Sequence, residues 1–270
     1  MVCAAMHGSP ARCALLSGAR ESRRRSSLRL NTIIFLSALV LLVVSFWNRN
    51  DIPGNIAFVP SIEHEPRQTP TSRVPFSIEW RGVQYRVEPV YEYELTGMIV
   101  SYRHHDPETS RMHRRANDHL NMADLCVVWG DTAQSPYLDR LKFWNGIFTC
   151  NVQTSDRAAW ESFDMTELSN NHLLSADEDI RERVQDVRIG DQIYVRGVLA
   201  SYGSGGGSKR GTSTTRTDTG DGACETIFID EFEIVQKAVS YWRLAMYGAL
   251  ALVAVTLFRH FQRPYRPYAE

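Results

Sequence analysis

No two of the five cysteines, Cys3, Cys13, Cys126, Cys150 and Cys224, form a C-x-x-C pair. Zinc ribbons and thioredoxin-type redox motifs depend on that spacing, so both are excluded. Neither sign of charge is in excess, with 30 Lys and Arg against 31 Asp and Glu. There is no internal repeat, which removes solenoids and propellers. The histidines also lack a compact ligand spacing: His104, His105, His113 and His119 lie scattered with Asp118 along one polar stretch. No metal and no cofactor is expected.

What is present divides sharply along the chain. Residues 30–47 carry no charge, and these 18 residues rise about 27 Å as a helix at about 1.5 Å each. That nearly crosses a hydrocarbon core of about 30 Å. Residues 239–258 form a second run, broken only by Arg243 near its start, where a long side chain can snorkel to the interface. The first run exceeds the apolar part of a cleaved leader and no small-x-small site follows it, so it reads as a retained anchor. Arg20, Arg23, Arg24, Arg25 and Arg29 precede the first run, and Arg259, Arg263 and Arg266 follow the second. Positive flanks stay in the cytoplasm, so the tails at 1–29 and 259–270 are expected there, with everything between outside.

That outer part, from residue 48 to 240, holds 20 Lys and Arg against 29 Asp and Glu. An acidic domain is poorly matched to nucleic acid, whose phosphates must be neutralised. Cys3 and Cys13 fall on the reducing side. Cys126, Cys150 and Cys224 fall where disulfides persist, and three cysteines allow one internal pair.

Residues 48–82 are Pro-rich and polar, a linker. Residues 76–80 and 83–87 can pair as a hairpin around Arg81 and Gly82. One β-rich domain is expected over 83–237. Within residues 91–102, Tyr91, Tyr93, Leu95, Gly97 and Ile99 alternate with Glu92, Glu94 and Thr96. Gly97 marks a bend or a close backbone approach. D-L-C-V-V-W-G at 124–130 and G-I-F-T-C-N-V-Q at 146–153 read as the second and third strands. Residues 160–168 make a helical turn, and S-N-N-H at 169–172 reads as loop. Ser175 is the expected N-cap, with Glu178 completing a capping box before a helix carrying Ile180, Val184 and Val187. After Gly190 the period changes to two, with Ile193, Val195 and Leu199 on one face and Gln192, Tyr194 and Arg196 on the other. The Gly/Ser/Thr-rich stretch 203–222 is a loop, and residues 224–235 are the fifth strand.

Strand, long loop, strand, strand, helix, strand, long loop, strand: this order resembles the OB-fold, as does I-G-D-Q-I-Y-V-R-G-V-L in its fourth strand. The expected fold class is therefore mainly β. It is an OB-like five-stranded Greek-key barrel with one capped helix between strands three and four, flanked by two transmembrane helices. S-N-N-H-L and R-T-D-T-G-D-G-A-C-E are similar to segments of uncharacterised two-pass bacterial inner-membrane proteins with an OB-fold-like extracytoplasmic domain. The resemblance implies the bacterial inner membrane, a periplasmic central domain and no particular activity. Strands three and five are neighbours in an OB barrel, so it also implies a Cys150–Cys224 disulfide, with Cys126 left as a buried thiol.

In OB-folds, the loops between strands one and two and between strands four and five bind ligands. Here the first offers Arg103, His104, His105, Arg111, His113, Arg114, Arg115 and His119; the second offers Lys209, Arg210 and Arg216. The candidate ligand-binding residues are Arg111, Arg114, Arg115, His119, Arg216 and Asp218, because guanidinium forks match carboxylate and phosphate. Arg216 and Asp218, two apart, can pair on one side of an extended segment. The expected function is a membrane-anchored extracytoplasmic binding or scaffold module. Its expected partners are the membrane and another envelope protein or an anionic envelope ligand. The alternative is a membrane-tethered hydrolase using Arg216, Asp218 and Glu225 with His172. The histidine-rich first loop adds the expectation of a pH response. Nothing in the spacing joins a cysteine nucleophile to His172, which reads as a packing residue.

Overall fold

The computed structural model describes residues 10–54, 56–105, 111–146, 149–205, 209–220 and 223–262, without the side chains of residues 10–28, 111 and 112. The chain divides into two units, Met1–Arg49 with Ser240–Glu270, and Asn50–Val239.

The first unit pairs α1 (Pro10–Asn48) with the last helix, α6 (Tyr241–Phe261). Their segments Arg29–Asn48 and Tyr241–Phe261 are long and apolar enough to cross a membrane. Burial here is inverted relative to a water-soluble core. Ala38, Ser45, Ala249 and Thr256 are buried, whereas Leu36, Val40, Leu250 and Val255 are exposed. Ala38 and Ser45 are a heptad apart, as are Ala249 and Thr256, which keeps small residues on one seam where backbones approach. Asn31 Nδ2 donates to Thr256 O at 3.3 Å, so the start of one helix's apolar segment lies beside the end of the other's. The two are antiparallel. The hydroxyls of Ser45 and Thr256 donate to Leu41 O and Leu252 O at 2.6 and 2.8 Å, satisfying themselves within their own helices.

The second unit is mainly β. Its strands are β1 (Arg67–Pro70), β2 (Phe76–Trp80), β3 (Val83–His104), β4 (Asn121–Val128), β5 (Lys142–Asn145), β6 (Cys150–Gln153), β7 (Leu168–Leu174), β8 (Gln192–Ser204) and β9 (Cys224–Gln236). The helices are α2 (Arg111–Arg115), α3 (Gly130–Gln134), α4 (Arg157–Glu161) and α5 (Glu178–Gln185). Hydrogen bonding in the large mixed sheet runs β1–β3–β4–β7–β9–β8, and β3 also pairs with β2 and with β8. The path therefore returns to β3. β7 and β9 run parallel, and β3–β4, β4–β7, β8–β9 and β3–β8 are antiparallel.

β3 can serve this many partners because it is long and changes neighbour along its length. Met98 is opposite both Gln192 of β8 and Val128 of β4. Gly97 stands beside this handover, where an added Cβ would lie 2.4 Å from Val127 Cγ1 and 2.9 Å from Val128 O. The close approach expected of Gly97 is thus real. The expected hairpin of β2 and β3 forms too, turning at Arg81 and Gly82, both at positive φ.

The central core gathers the alternate residues of five strands, among them Tyr93, Leu95, Leu125, Val127, Leu173, Ile193, Val195, Ile227 and Phe232. α5 adds Ile180 and Val184 from one face, followed by Val187. The opposite face at Met98, Cys126, Val128 and Leu168 is covered by Leu138, Leu141 and Ala159.

Three expectations are corrected. S-N-N-H is not loop: it lies in β7, whose seven residues are all buried, and β7 rather than residues 146–153 lies between β4 and β9. Cys150 belongs instead to β6, which pairs with β5 as a separate two-stranded sheet. That displacement overturns the Cys150–Cys224 disulfide. Cys150 is bonded to Cys126, with Cα atoms 5.7 Å apart, and Cys224 is a reduced, partly exposed thiol. The cap also moves by two residues. Asp177 accepts from Ile180 N–H, while Ser175 Oγ accepts from Asp177 N–H.

Candidate functional site

β4, β7 and β9 lie side by side, and alternation divides their residues between two faces. Leu125, Leu173 and Ile227 enter the central core. Asp124, His172 and Thr226 are cross-strand neighbours in register on the opposite face. Cys126, Asn170 and Cys224 form the next row there.

Through this face runs a chain of buried polar side chains. His172 Nδ1 lies 2.5 Å from Asp124 Oδ1. The other side of the imidazole meets the Cys224 thiol, which hydrogen-bonds His172, and Asn170 Nδ2 at 3.4 Å from Nε2. Asn170 Nδ2 is also 3.7 Å from Cys224 Sγ. Asp124 is held by more than His172. His105 Nε2 lies 2.8 Å from its Oδ2, and Asn121 Nδ2 donates to Oδ1 at 3.1 Å. The His105 ring stacks on His113 with centroids 3.8 Å apart. His113 Nδ1 is 3.2 Å from Asp118 Oδ2, and Tyr202 OH donates to Asp118 Oδ1 at 2.8 Å. Arg210 Nε lies 3.7 Å from Asp118 Oδ2.

His105, His113, His172, Asp118 and Asp124 are all buried. Groups of this kind tolerate burial only when paired, and each has a partner here. Burial works to raise the Asp124 pKa, but hydrogen bonds with His105 and His172 outweigh it and hold the carboxyl well below its ordinary range. Burial works to lower His172; hydrogen bonds to Asp124 and Cys224 reverse this and push it up to about 9. At neutral pH His172 is an imidazolium between a carboxylate and the Cys224 sulfur. Asp118 is likewise lowered despite burial, by His113, Arg210 and Tyr202.

The adjacent histidines of the first loop do diverge. His105 joins the chain, while His104 Nε2 sits 3.0 Å from Val184 O, with its pKa lowered by burial.

The residues selected from sequence are dispersed. Arg114 and Arg115 are exposed on α2, and the side chain of Arg111 lies outside the described residues. His119 contributes its backbone, donating N–H to Tyr85 OH at 2.9 Å. Arg216 turns inward. It pairs with Glu225 at 3.2 Å rather than with Asp218, and its guanidinium covers the Trp129 ring at 5.1 Å. Asp218 accepts a hydrogen bond from Ser213 Oγ. Glu225 faces the core side of β9, where burial pushes its carboxyl up to about 7 against the pull of Arg216. His172 points to the other side of the strands, so the proposed set of Arg216, Asp218, Glu225 and His172 does not converge.

Sequence reading missed Asp124 and the contact of His172 with Cys224, and it placed His105 only among the cationic groups of the first long loop. The available signal was polarity out of place: Asp124 opening an apolar strand, and three polar residues ahead of His172. Among the described residues, no three His, Cys, Asp or Glu side chains are grouped to hold a metal ion. No family model matches the chain, and comparison with curated proteins and with solved structures finds no significant match.

Proposed function

We propose that this is a two-pass bacterial inner-membrane protein that carries a periplasmic OB-like Greek-key barrel and uses it as a binding or scaffold module. In this reading β3, β4, β7, β8 and β9 are the five barrel strands, and α5 is the helix between the third and fourth. The return of hydrogen bonding to β3 and the parallel β7–β9 pair support it. The antiparallel helix pair supports two termini on one side, and the arginine-rich flanks assign that side to the cytoplasm.

The binding surface is the meeting point of the two long inter-strand segments, 103–123 and 203–222. One observation carries this: Asp118 of the first segment receives both Tyr202 and Arg210, which bracket the start of the second. Exposed Arg114 and Arg115 then offer cationic contacts to an acidic partner surface or an anionic envelope ligand.

A photo-crosslinker placed at Arg115 in the full-length protein in cells tests this, with the same group at Glu231 as the control. Adducts specific to position 115, weakened by R114E/R115E, are expected. Equal or absent crosslinking at the two positions sinks the binding reading. The orientation is tested separately by G205C. Labelling by an impermeant maleimide in spheroplasts is expected, and labelling only after lysis refutes a periplasmic domain.

A further inference from the structure

The thiol of Cys224, which is in no disulfide, does not sit in the apolar surroundings that make most buried cysteines inert. It is partly exposed, begins β9, and faces a histidine and a carboxamide. We propose that Cys224, His172 and Asp124 form a cysteine nucleophile site that accepts acyl groups from ester or thioester carbonyls, with Asn170 donating to the oxyanion.

Nucleophilic thiol chemistry needs a base within hydrogen-bond reach and a third group that orients the base. His172 has both neighbours. Nδ1 is committed to Asp124 Oδ1 at 2.5 Å, which leaves Nε2 for the thiol. Asp124 is itself fixed from two further sides, by Asn121 at 3.1 Å and His105 at 2.8 Å, so the imidazole plane has little freedom. Asp124 is a positioning residue. His172 and Asp124 are shielded from water and Cys224 is not, so the nucleophile is the member a substrate can reach.

Asn170 selects the carbonyl class. Its Nδ2 lies 3.7 Å from the sulfur, next to where the oxygen of an attacked carbonyl develops charge. The other end of the same amide, Oδ1, rests 3.7 Å from Cys150 Sγ.

The steps balance without an oxidant. At the moment of attack the proton given up by Cys224 already rests on His172 Nε2, and Sγ attacks the carbonyl carbon while the C=O pair moves onto oxygen, facing Asn170 Nδ2. The tetrahedral adduct collapses, the bond to the leaving alkoxide or thiolate breaks, and that group takes the proton from His172. An acyl thioester remains on Cys224. Water then attacks, giving its proton to His172; the C–S bond breaks, the acid departs, and the Cys224–His172 pair is back in its starting state with the proton on His172. This site uses none of the arginines invoked for binding and stands independently of that reading.

The test uses the full-length protein in detergent with p-nitrophenyl acetate as acyl donor and peptide mass mapping as readout. An acetyl group on the peptide bearing Cys224 is expected, with one equivalent of p-nitrophenol released quickly and both lost in C224A. D124N is expected to slow acetylation at least about tenfold. It is also expected to move the pH at which iodoacetamide alkylates Cys224 upward, a shift that a purely structural carboxylate does not produce. N170A keeps the proposal open to refutation where D124N fails to fold. It should slow acetylation about tenfold or more while leaving alkylation by iodoacetamide, which has no oxyanion, unchanged. Acetylation of Cys224 no faster than that of free cysteine overturns the proposal. So does finding Cys224 disulfide-bonded to Cys150 in the purified protein.

Discussion

His172 Nδ1 and Asp124 Oδ1 face each other at 2.5 Å across β4 and β7, and both side chains are buried. Neither strand needs this pair to form its ladder. The pair exists because the register sets residue 124 opposite residue 172 on the face turned away from the central core. Around it the fold has assembled a thiol on one side and two stacked histidines on the other, so local stability and local reactivity depend on the same protons.

The first consequence is a pH dependence on the alkaline side. His172 is held at about 9, above its ordinary 6.5. The folded state therefore keeps a proton that the unfolded chain has released, and stability falls as pH rises between those values. The stabilisation is complete below about pH 6.5 and gone above about pH 9. Melting temperature of the detergent-solubilised protein should decline over that interval, and H172Q should flatten the decline. A wild-type curve level from pH 6 to 9.5 contradicts the charged imidazole.

Glu225 gives a second slope at lower pH. Burial raises its carboxyl from 4.5 to about 7, so the native state again binds the proton more tightly and stability is lost as pH climbs through that window. At about 1.4 kcal/mol for each unit, the loss by pH 8 reaches about 3 kcal/mol. E225Q cannot ionise and should lose less stability than wild type between pH 5 and 8 in denaturant titrations. Parallel behaviour of the two proteins would falsify a protonated Glu225.

The corrected disulfide is also measurable. Cys126 and Cys150 are 24 residues apart, and cross-linking a loop of that size stabilises by about 3 kcal/mol. C150S should lower stability by about that amount and abolish the difference between reduced and oxidised samples. C224S should preserve the difference. Loss of the redox effect in C224S would restore the pairing that the strand order displaced.

Gly197 provides a purely steric check. A Cβ there would sit 2.2 Å from Phe228 O, a backbone atom of the paired strand β9 that cannot swing aside. G197A should cost at least about 3 kcal/mol or prevent folding, as overpacking against backbone does. At Gly205 an added Cβ would meet nothing within 4 Å, so G205A should be nearly neutral in the same thermal melt.

Much of the strand layout was legible because apolar alternation marks a half-buried strand. β3, β4, β8 and β9 announce themselves through Tyr93 and Leu95, Val127, Ile193 and Val195, and Ile227 and Ile229. The exception is instructive. β7 reads L-S-N-N-H-L-L, and its polar residues are buried because they satisfy one another and their neighbours, with Asn171 donating to Ser169 Oγ at 2.8 Å and His172 meeting Asp124. Period alone cannot show a strand whose buried side chains are polar. Missing β7 moved Cys150 into the wrong strand, and the disulfide went with it. The Arg216–Asp218 pair expected from spacing does not form, because the segment folds inward and Arg216 meets Glu225 instead.

The chain's local chemistry determined its two apolar helices, its β-rich middle, its turn glycines and the acidic charge of residues 48–240, because each depends on residues within a few positions of one another. Which cysteine stays reduced, which carboxylate meets His172, and which loops approach were decided only when strands distant in sequence came into register. Period-two alternation tells which face a residue occupies, but the partner across that face is set by strand order and register, which no single segment encodes.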